Sequence, residues 1–467
     1  MLDSSRFMGA FFPISISFLM PAINDLIMTS RSISPASSQG FIQSLPLELI
    51  REIFMFSTAL KFERLTDDSP IPPRLSTTAL ALSHVSTHWR SIALSFPELW
   101  ASIAVCSPTP NIVKLTELYL ERAGETSLLD LSLIDVLSKC GPDDTWEADY
   151  KIWEACSLRI LRLWVPRAHR WVGLNLDLRN LLPVRDLLDI PSQSLKHLET
   201  ASLDFIHWEY QQVQDMWDKI HTSQNLRELH GGAPLLKHPP LATFHLLTDL
   251  FVWTLTLEEL ATLSSRTRLV KLEAMHVRES PVTGLIELPA LETLLTESVR
   301  MDSALLLDTI STPSLRHLKL CQTVPLIDAS ALHRFILRTG CSLLRLHIQI
   351  LDSSEVDSLR YIQLAAHSFP HLKYFAFRFS GITATTVNEF MPQGKDGTLF
   401  LPELEELALL GCRLNDGLVG RMVAARADAG RPLDAFRAWF NDKECDHALD
   451  KAILNNLKET GILKQLK

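Results

Sequence analysis

The chain has 467 residues, 46% hydrophobic and 21% charged, with a formal net charge of -9; this is a globular composition, long enough for two or more domains or one long repeat array, and it lacks the basic field of a general nucleic-acid binder. Its seven cysteines are odd in number with no close pair, so neither a disulfide framework nor a cysteine zinc site can be read, and a reducing compartment, cytoplasmic or nuclear, is expected. With only 17 glycines, long glycine-hinged catalytic loops are not favoured.

Residues 1–40 open with an uncharged run, FMGAFFPISISFLMPAIN, from Phe7 to Asn24. It just reaches the length at which a membrane span or signal has to be considered. A targeting segment and a disordered apolar, Ser-rich extension both fit. Pro13 and Pro21, the cancelling pair Asp3 and Arg6, and the want of a small-x-small cleavage site favour the extension and argue against a membrane.

The stretch SLPLELIREIFMFSTAL follows from Ser44. Its spacing predicts a helix from about residue 45, with Leu45, Leu49, Ile53 and Phe56 on one side and Ile50 and Phe54 beside them. That stripe is wider than one neighbour needs. Pro46 is tolerated in a first helical turn and Glu48 lies near the positive end of the helix dipole. After a gap, Lys61 to Thr77, holding Pro70, Pro72 and Pro73, a second helical pattern places Leu82, Val85, Trp89 and Ile92 on one face and stops at Phe96-Pro97. So small a core is stable mainly when something else covers its apolar surface.

Read together, LPxELIxxIF and LSxVSxxWRxIALSxPxLW resemble the F-box, in the form common in large fungal F-box families, over residues 41–103. The resemblance implies a three-helix module that docks onto a Skp-type adaptor and, through it, onto a cullin–RING ubiquitin ligase. By that resemblance Leu45, Pro46, Glu48, Leu49, Ile53, Leu82, Val85 and Trp89 carry adaptor contact or its immediate support. The long Pro-rich gap departs from the pattern. A helical hairpin packed only within its own chain is the alternative for the same residues.

Residues 104–157 read as a bridging helical segment, with Leu115, Leu118 and Tyr119 giving the run Asn111 to Arg122 an apolar side. From residue 158 to 414 the pattern Leu-x-x-Leu-x-apolar recurs, clearly from Leu158, Leu247, Leu269, Leu315, Leu343, Leu372 and Leu404 and more weakly from Leu195, Leu226 and Leu291. The middle steps match the ~20–29 residue spacing of leucine-rich repeats, each copy supplying a short strand followed by a helix. The expected fold is therefore α/β: a small all-α F-box-like helical module followed by an irregular leucine-rich-repeat-like solenoid. Residues 415–467, including LDAFRAWF, are expected to form a helical C-terminal cap. The Asn or Cys that consensus repeats carry past the last strand leucine stands only at Cys412; Val277, Thr323, Leu351 and Ser380 occupy that place elsewhere.

Little points to chemistry. His84 and His88 have the spacing of a helical zinc site, but Val85 stands where a zincin has its base. Glu444-Cys445-Asp446-His447 reads as a helix start. No phosphate-cradling or nucleophile-elbow motif is present, so no catalytic residue, metal or cofactor is assigned. Outward strand positions instead stack into columns: Lys271, Thr293, His317, Arg345, Tyr374 and Glu406 in one, with Lys319, His347 and Arg378 close by. His317, Lys319, Arg345, His347, Tyr374 and Arg378 are the expected target-binding residues, a basic face with an aromatic suited to an acidic or phosphorylated segment of an unknown target protein; a solvated face without a ligand is the alternative. Phe251 and Trp253 are outward candidates for an apolar anchor. The expected function is that of a non-catalytic substrate-recognition subunit of a Skp–cullin–F-box ubiquitin ligase. A leucine-rich-repeat interaction scaffold without ubiquitin transfer is the first alternative, and a secreted or tethered repeat protein the second.

Overall fold

The computed structural model describes residues 45–58, 78–106, 108–134, 146–177, 185–204, 208–231, 245–265, 268–298, 303–322, 329–350, 355–392, 399–440 and 446–466. The N-terminal extension, the Pro-rich gap 61–77, Thr323, Leu351, Glu444 and Cys445 lie outside them. The chain divides into two compact units, Met1–Leu226 and Arg227–Lys467.

The first unit begins with three short helices, α1 (Leu47–Thr58), α2 (Thr78–Val85) and α3 (Thr87–Leu94), and a 3-10 turn, Pro97–Trp100. The second helical pattern of the sequence is thus two helices. Ser86 separates them, with extended backbone and a side-chain Oγ that accepts the Trp89 N–H at 3.1 Å, the geometry of a helix N-cap. Ile50 and Phe54 are buried, and Phe54 packs against Trp89 with ring centroids 5.0 Å apart. Trp100 anchors the end of the module: its Nε1 donates to Ala93 O at 2.7 Å and its ring meets Tyr119 edge-on at 5.0 Å.

Four parallel strands follow, β1 (Ser102–Cys106), β2 (Leu129–Ile134), β3 (Trp171–Asp177) and β4 (Thr200–Asp204), paired in that order. The helices α4 (Pro110–Ala123), α5 (Trp146–Trp164), α6 (Arg185–Leu188) and α7 (Tyr210–Ile220) intervene or follow. The sheet therefore begins at Ser102, and residues 104–157 hold strand as well as helix. LRILRL from Leu158 is the last part of α5 and not a strand. The burial of Trp153, Cys156, Ser157, Ile160, Leu161 and Trp164 shows why: the leucine pattern is there one segment of a longer 3.6-residue period. The copy set at Leu195 belongs three residues later, where Leu198, Ala201 and Leu203 are the buried set.

In the second unit the parallel order is β5 (Glu228–Gly231), β6 (Asp249–Thr256), β7 (Lys271–Arg278), β9 (Thr293–Ser298), β11 (His317–Gln322), β12 (Arg345–Ile350), β13 (Tyr374–Ile382), β14 (Glu406–Cys412), β15 (Ala435–Phe440) and β16 (Gln465–Leu466). Two further strands, β8 (Ile286–Glu287) and β10 (Ile310–Ser311), pair only with each other. The connecting helices are α8 (Leu257–Ser264), α9 (Ser303–Thr309), α10 (Ala329–Thr339), α11 (Glu355–Ser368), α12 (Ala384–Glu389), α13 (Leu418–Asp428) and α14 (Ala448–Glu459).

Each of these ten strands of the long sheet starts two residues after a buried leucine: Leu226, Leu247, Leu269, Leu291, Leu315, Leu343, Leu372, Leu404, Leu433 and Leu463. From β6 onward the entry to each strand of the long sheet repeats one backbone pattern, two successive N–H groups donating to a single carbonyl of the preceding copy. Val270 and Lys271 donate to Thr248 O, Lys373 and Tyr374 to Leu344 O, and Lys464 and Gln465 to Asp434 O. The last example corrects the C-terminal expectation: residues 415–467 are not an all-helical cap, because LDAFRAWF supplies β15 and Leu463 precedes β16. Leu433 and Phe436 are buried like their equivalents upstream.

Candidate functional site

Two surfaces stand out, one in each unit. On α1 the apolar residues form two stripes. Ile50 and Phe54 face inward, whereas Leu49, Ile53 and Phe56, one helical stripe at i, i+4 and i+7, are 50%, 47% and 55% exposed. Val85 at the end of α2 is 60% exposed. Among the residues singled out by the F-box resemblance, Pro46 and Glu48 are also exposed, while Leu45, Leu82 and Trp89 are half-buried. The set thus splits into an outer group, Pro46, Glu48, Leu49, Ile53 and Val85, and a supporting group headed by Trp89, which packs on Phe54. His84 and His88 are exposed, and Arg90 Nη2 lies 3.3 Å from His84 Nδ1.

The second surface is one face of the sheet in residues 227–467. Along β12 burial alternates strictly: Leu346, Ile348 and Ile350 enter the core and Arg345, His347 and Gln349 are half-buried on the other side. Parallel register carries these positions into rows. The first row runs Thr293, His317, Arg345, Tyr374, Glu406; the second Leu295, Lys319, His347, Ala376, Ala408, Arg437; the third Glu297, Cys321, Gln349, Arg378, Leu410, Trp439. The six expected target-binding residues therefore do share one face, but they differ in what they can offer.

Lys319 is buried, and its Nζ contacts Glu297 Oε1 at 2.6 Å. Burial alone would depress its ammonium, but Cys321, Glu297 and Glu273 facing it hold it above its ordinary value. It is a tie between neighbouring strands. Lys271 is likewise paired with Glu273 at 2.7 Å. Burial pushes His347 down to about 3, with Lys319 and Arg378 adding to the effect, and its Nε2 has no hydrogen-bond partner among the described residues. His317 is lowered too, by burial first and then by Arg345. Both imidazoles are neutral near pH 7. Tyr374 is buried, with its phenol pushed up to about 12 chiefly by burial.

The arginines remain. Arg345 lies over the Tyr374 ring at 4.5 Å, and Arg378 over the Trp439 ring at 5.7 Å. Neither has a carboxylate partner among the described residues. Trp439 is 59% exposed. It and Arg437 escaped the sequence reading because LDAFRAWF was taken for helix, although it begins with the same leucine spacing as its neighbours. Phe251 is buried and Trp253 half-buried, so the pair is not an open apolar anchor.

Near the C-terminus Asp416, His447 and Asp450 bring possible ligand atoms within 4.8 Å of one another. Their oxygens are already engaged. Asp416 accepts the Leu449 and Asp450 N–H groups at the start of α14, and Asp450 accepts Gly420 N–H and faces His447 Nδ1 at 3.2 Å. The cluster fastens α13 to α14. His447 holds the left-handed backbone immediately before α14 (φ 48) and stacks on Phe440, so the last residue of the segment read as a helix start does precede a helix.

The five cysteines among the described residues are all buried and free; burial pushes Cys106, Cys321 and Cys412 up to about 12. No helix among the described residues is long and apolar enough to cross a membrane.

No protein-family model matches the chain, and no curated protein matches it. Among solved structures it is similar to an internalin, InlF, from Listeria monocytogenes str. 4b F2365, with 13% identity, coverage of 83% of this chain and 92% of that chain, and a TM-score of 0.37. It is also similar to the functional domain of InlJ from Listeria monocytogenes, which includes a cysteine ladder, with 12% identity, coverage of 77% and 67%, and a TM-score of 0.31.

Proposed function

We propose that the chain is a non-catalytic recognition subunit: its N-terminal helices dock onto a Skp-type adaptor of a cullin–RING ubiquitin ligase, and its strand array holds a target protein. The observation that carries this reading is the open stripe Leu49, Ile53 and Phe56 with Val85, on helices whose opposite side is already packed. An apolar stripe of that kind is what a partner helix covers, each half-exposed side chain contributing about 1 kcal/mol on burial. Together with the F-box-like residue order, it favours a Skp-type adaptor as the occupant. The array acts by proximity, keeping target lysines near a catalyst carried by other subunits.

The test is capture of the intact chain by purified Skp-type adaptor, against an Ile53→Asp, Val85→Asp variant. Both positions are exposed, so the variant keeps its fold by circular dichroism while losing capture by ten-fold or more, on the order of the two lost contacts. Equal capture of both proteins would remove the adaptor reading. Capture without ubiquitylation of any bound protein would assign the chain to the alternative class, a repeat scaffold outside ubiquitin transfer.

A further inference from the structure

The sheet face of the second unit is not uniform in charge. Toward β7–β11 its cations are cancelled on the face itself, Lys271 by Glu273 and Lys319 by Glu297. Toward β12–β15 the face carries three guanidiniums, Arg345, Arg378 and Arg437; those of Arg345 and Arg378 lie over aromatic rings and have no carboxylate partner among the described residues. A guanidinium lying on a ring still presents its edge N–H groups, which match a carboxylate in two parallel hydrogen bonds. The ring fixes the fork at little cost in side-chain freedom.

We propose that this face binds an extended acidic segment of a target protein, carrying two carboxylates four residues apart, one taken by Arg345 above Tyr374 and the other by Arg378 beside Trp439. The proposal deepens the reading of the array as a target holder and rests on it. The spacing comes from register. Arg345 is opposite Tyr374, and Arg378 is four residues further along the same strand, about 13 Å at ~3.3 Å per residue; an extended segment covers that distance in the same number of residues. Between the two ends the middle row carries His347, Ala376 and Ala408; the two alanines raise no long side chain into the path, and the imidazole beside them is neutral near pH 7. Glu406 stands next to Tyr374 in register and acts on it electrostatically. A doubly charged phosphate at the Arg345 end would face that carboxylate, which favours a singly charged acid there.

The test uses the full chain and short fluorescein-labelled peptides read by anisotropy: one with Glu at i and i+4, one with Gln at both places, one with Glu at i and i+2, and one with phosphoserine at i and i+4. The i, i+4 glutamate peptide is expected to bind best. Arg345→Gln and Arg378→Gln each weaken it about ten-fold or more, the loss of one charge-assisted contact, and Arg345→Lys does not restore it because the ammonium lacks the fork. Glu406→Gln leaves the glutamate peptide bound and improves the phosphoserine peptide. Both arginines are half-buried and have no carboxylate partner among the described residues, so thermal unfolding of the double Gln variant is expected at the wild-type temperature, and its adaptor capture is unchanged; this separates failure here from failure of the adaptor reading. Equal binding by the double variant, preference for the shorter spacing, or binding of the phosphoserine peptide alone overturns the proposal.

Discussion

His347 offers a sensitive check on the reasoning about the sheet face, because sequence logic made it a basic ligand and the structure makes it a neutral spacer. The perturbation is acidification. In the unfolded chain an imidazole takes up its proton near pH ~6.5; in the folded protein burial, with Lys319 and Arg378 alongside, holds His347 down to about 3. A folded pKa below the unfolded one means that the unfolded state binds more protons between these values, so stability is full above the upper value and is lost as pH falls toward the lower. At about pH 4.5 the unfolded side has gained most of two pKa units of protonation and the folded side almost none, a loss of about 2–3 kcal/mol. The assay is urea unfolding of wild type and His347→Gln at about pH 7 and pH 4.5, comparing the change in each. Carboxylates elsewhere, and His221 and His317, which are also lowered by burial, contribute to both proteins and cancel in the difference. Wild type should lose about 2–3 kcal/mol more than the variant; parallel losses would refute the placement of His347 in a desolvated row.

Arg426 is fully buried, donating from Nη1 to Phe400 O at 2.8 Å and from Nη2 to Leu401 O at 2.9 Å, next to the strained backbone of Leu401 (φ 51). Burial holds its guanidinium down to about 10. Arg426→Leu orphans those carbonyls but also removes a buried charge, for a net loss of about 2–4 kcal/mol, seen as a melting temperature lower by roughly 5–15 °C. Lys319→Met strands Glu297 without its cation, so the single variant should be less stable in urea than the double variant Lys319→Met, Glu297→Leu. The reverse order would mean that the pair is solvated.

The repeat architecture was legible because its signal is redundant: one buried leucine ahead of each strand, and alternation within it, recur from Leu226 to Leu404. The misreadings have local causes. At Leu158 a six-residue motif satisfied the strand template while its surroundings kept helical period, and the longer pattern won. At Ser86 a single capping hydroxyl cut one predicted helix into two. LDAFRAWF was assigned by its neighbours and not by its own spacing. Register was legible too: the column Thr293, His317, Arg345 already sets Glu297 opposite Cys321, as β9 and β11 pair. What the residue order could not give is burial and pairing, Lys319 being buried with its charge held by Glu297. Sequence identified the face and its register; burial and ion pairing distinguished its tied cations from its available ones.

The open stripe on α1 also bears on how long the chain survives in a cell. Apolar side chains left in water at Leu49, Ile53 and Phe56 are the features by which quality-control machinery sorts unfinished proteins, and whatever covers them draws the folded population forward by mass action. On the proposed docking role, an adaptor covering this stripe would couple the chain's folded population to the adaptor's own supply.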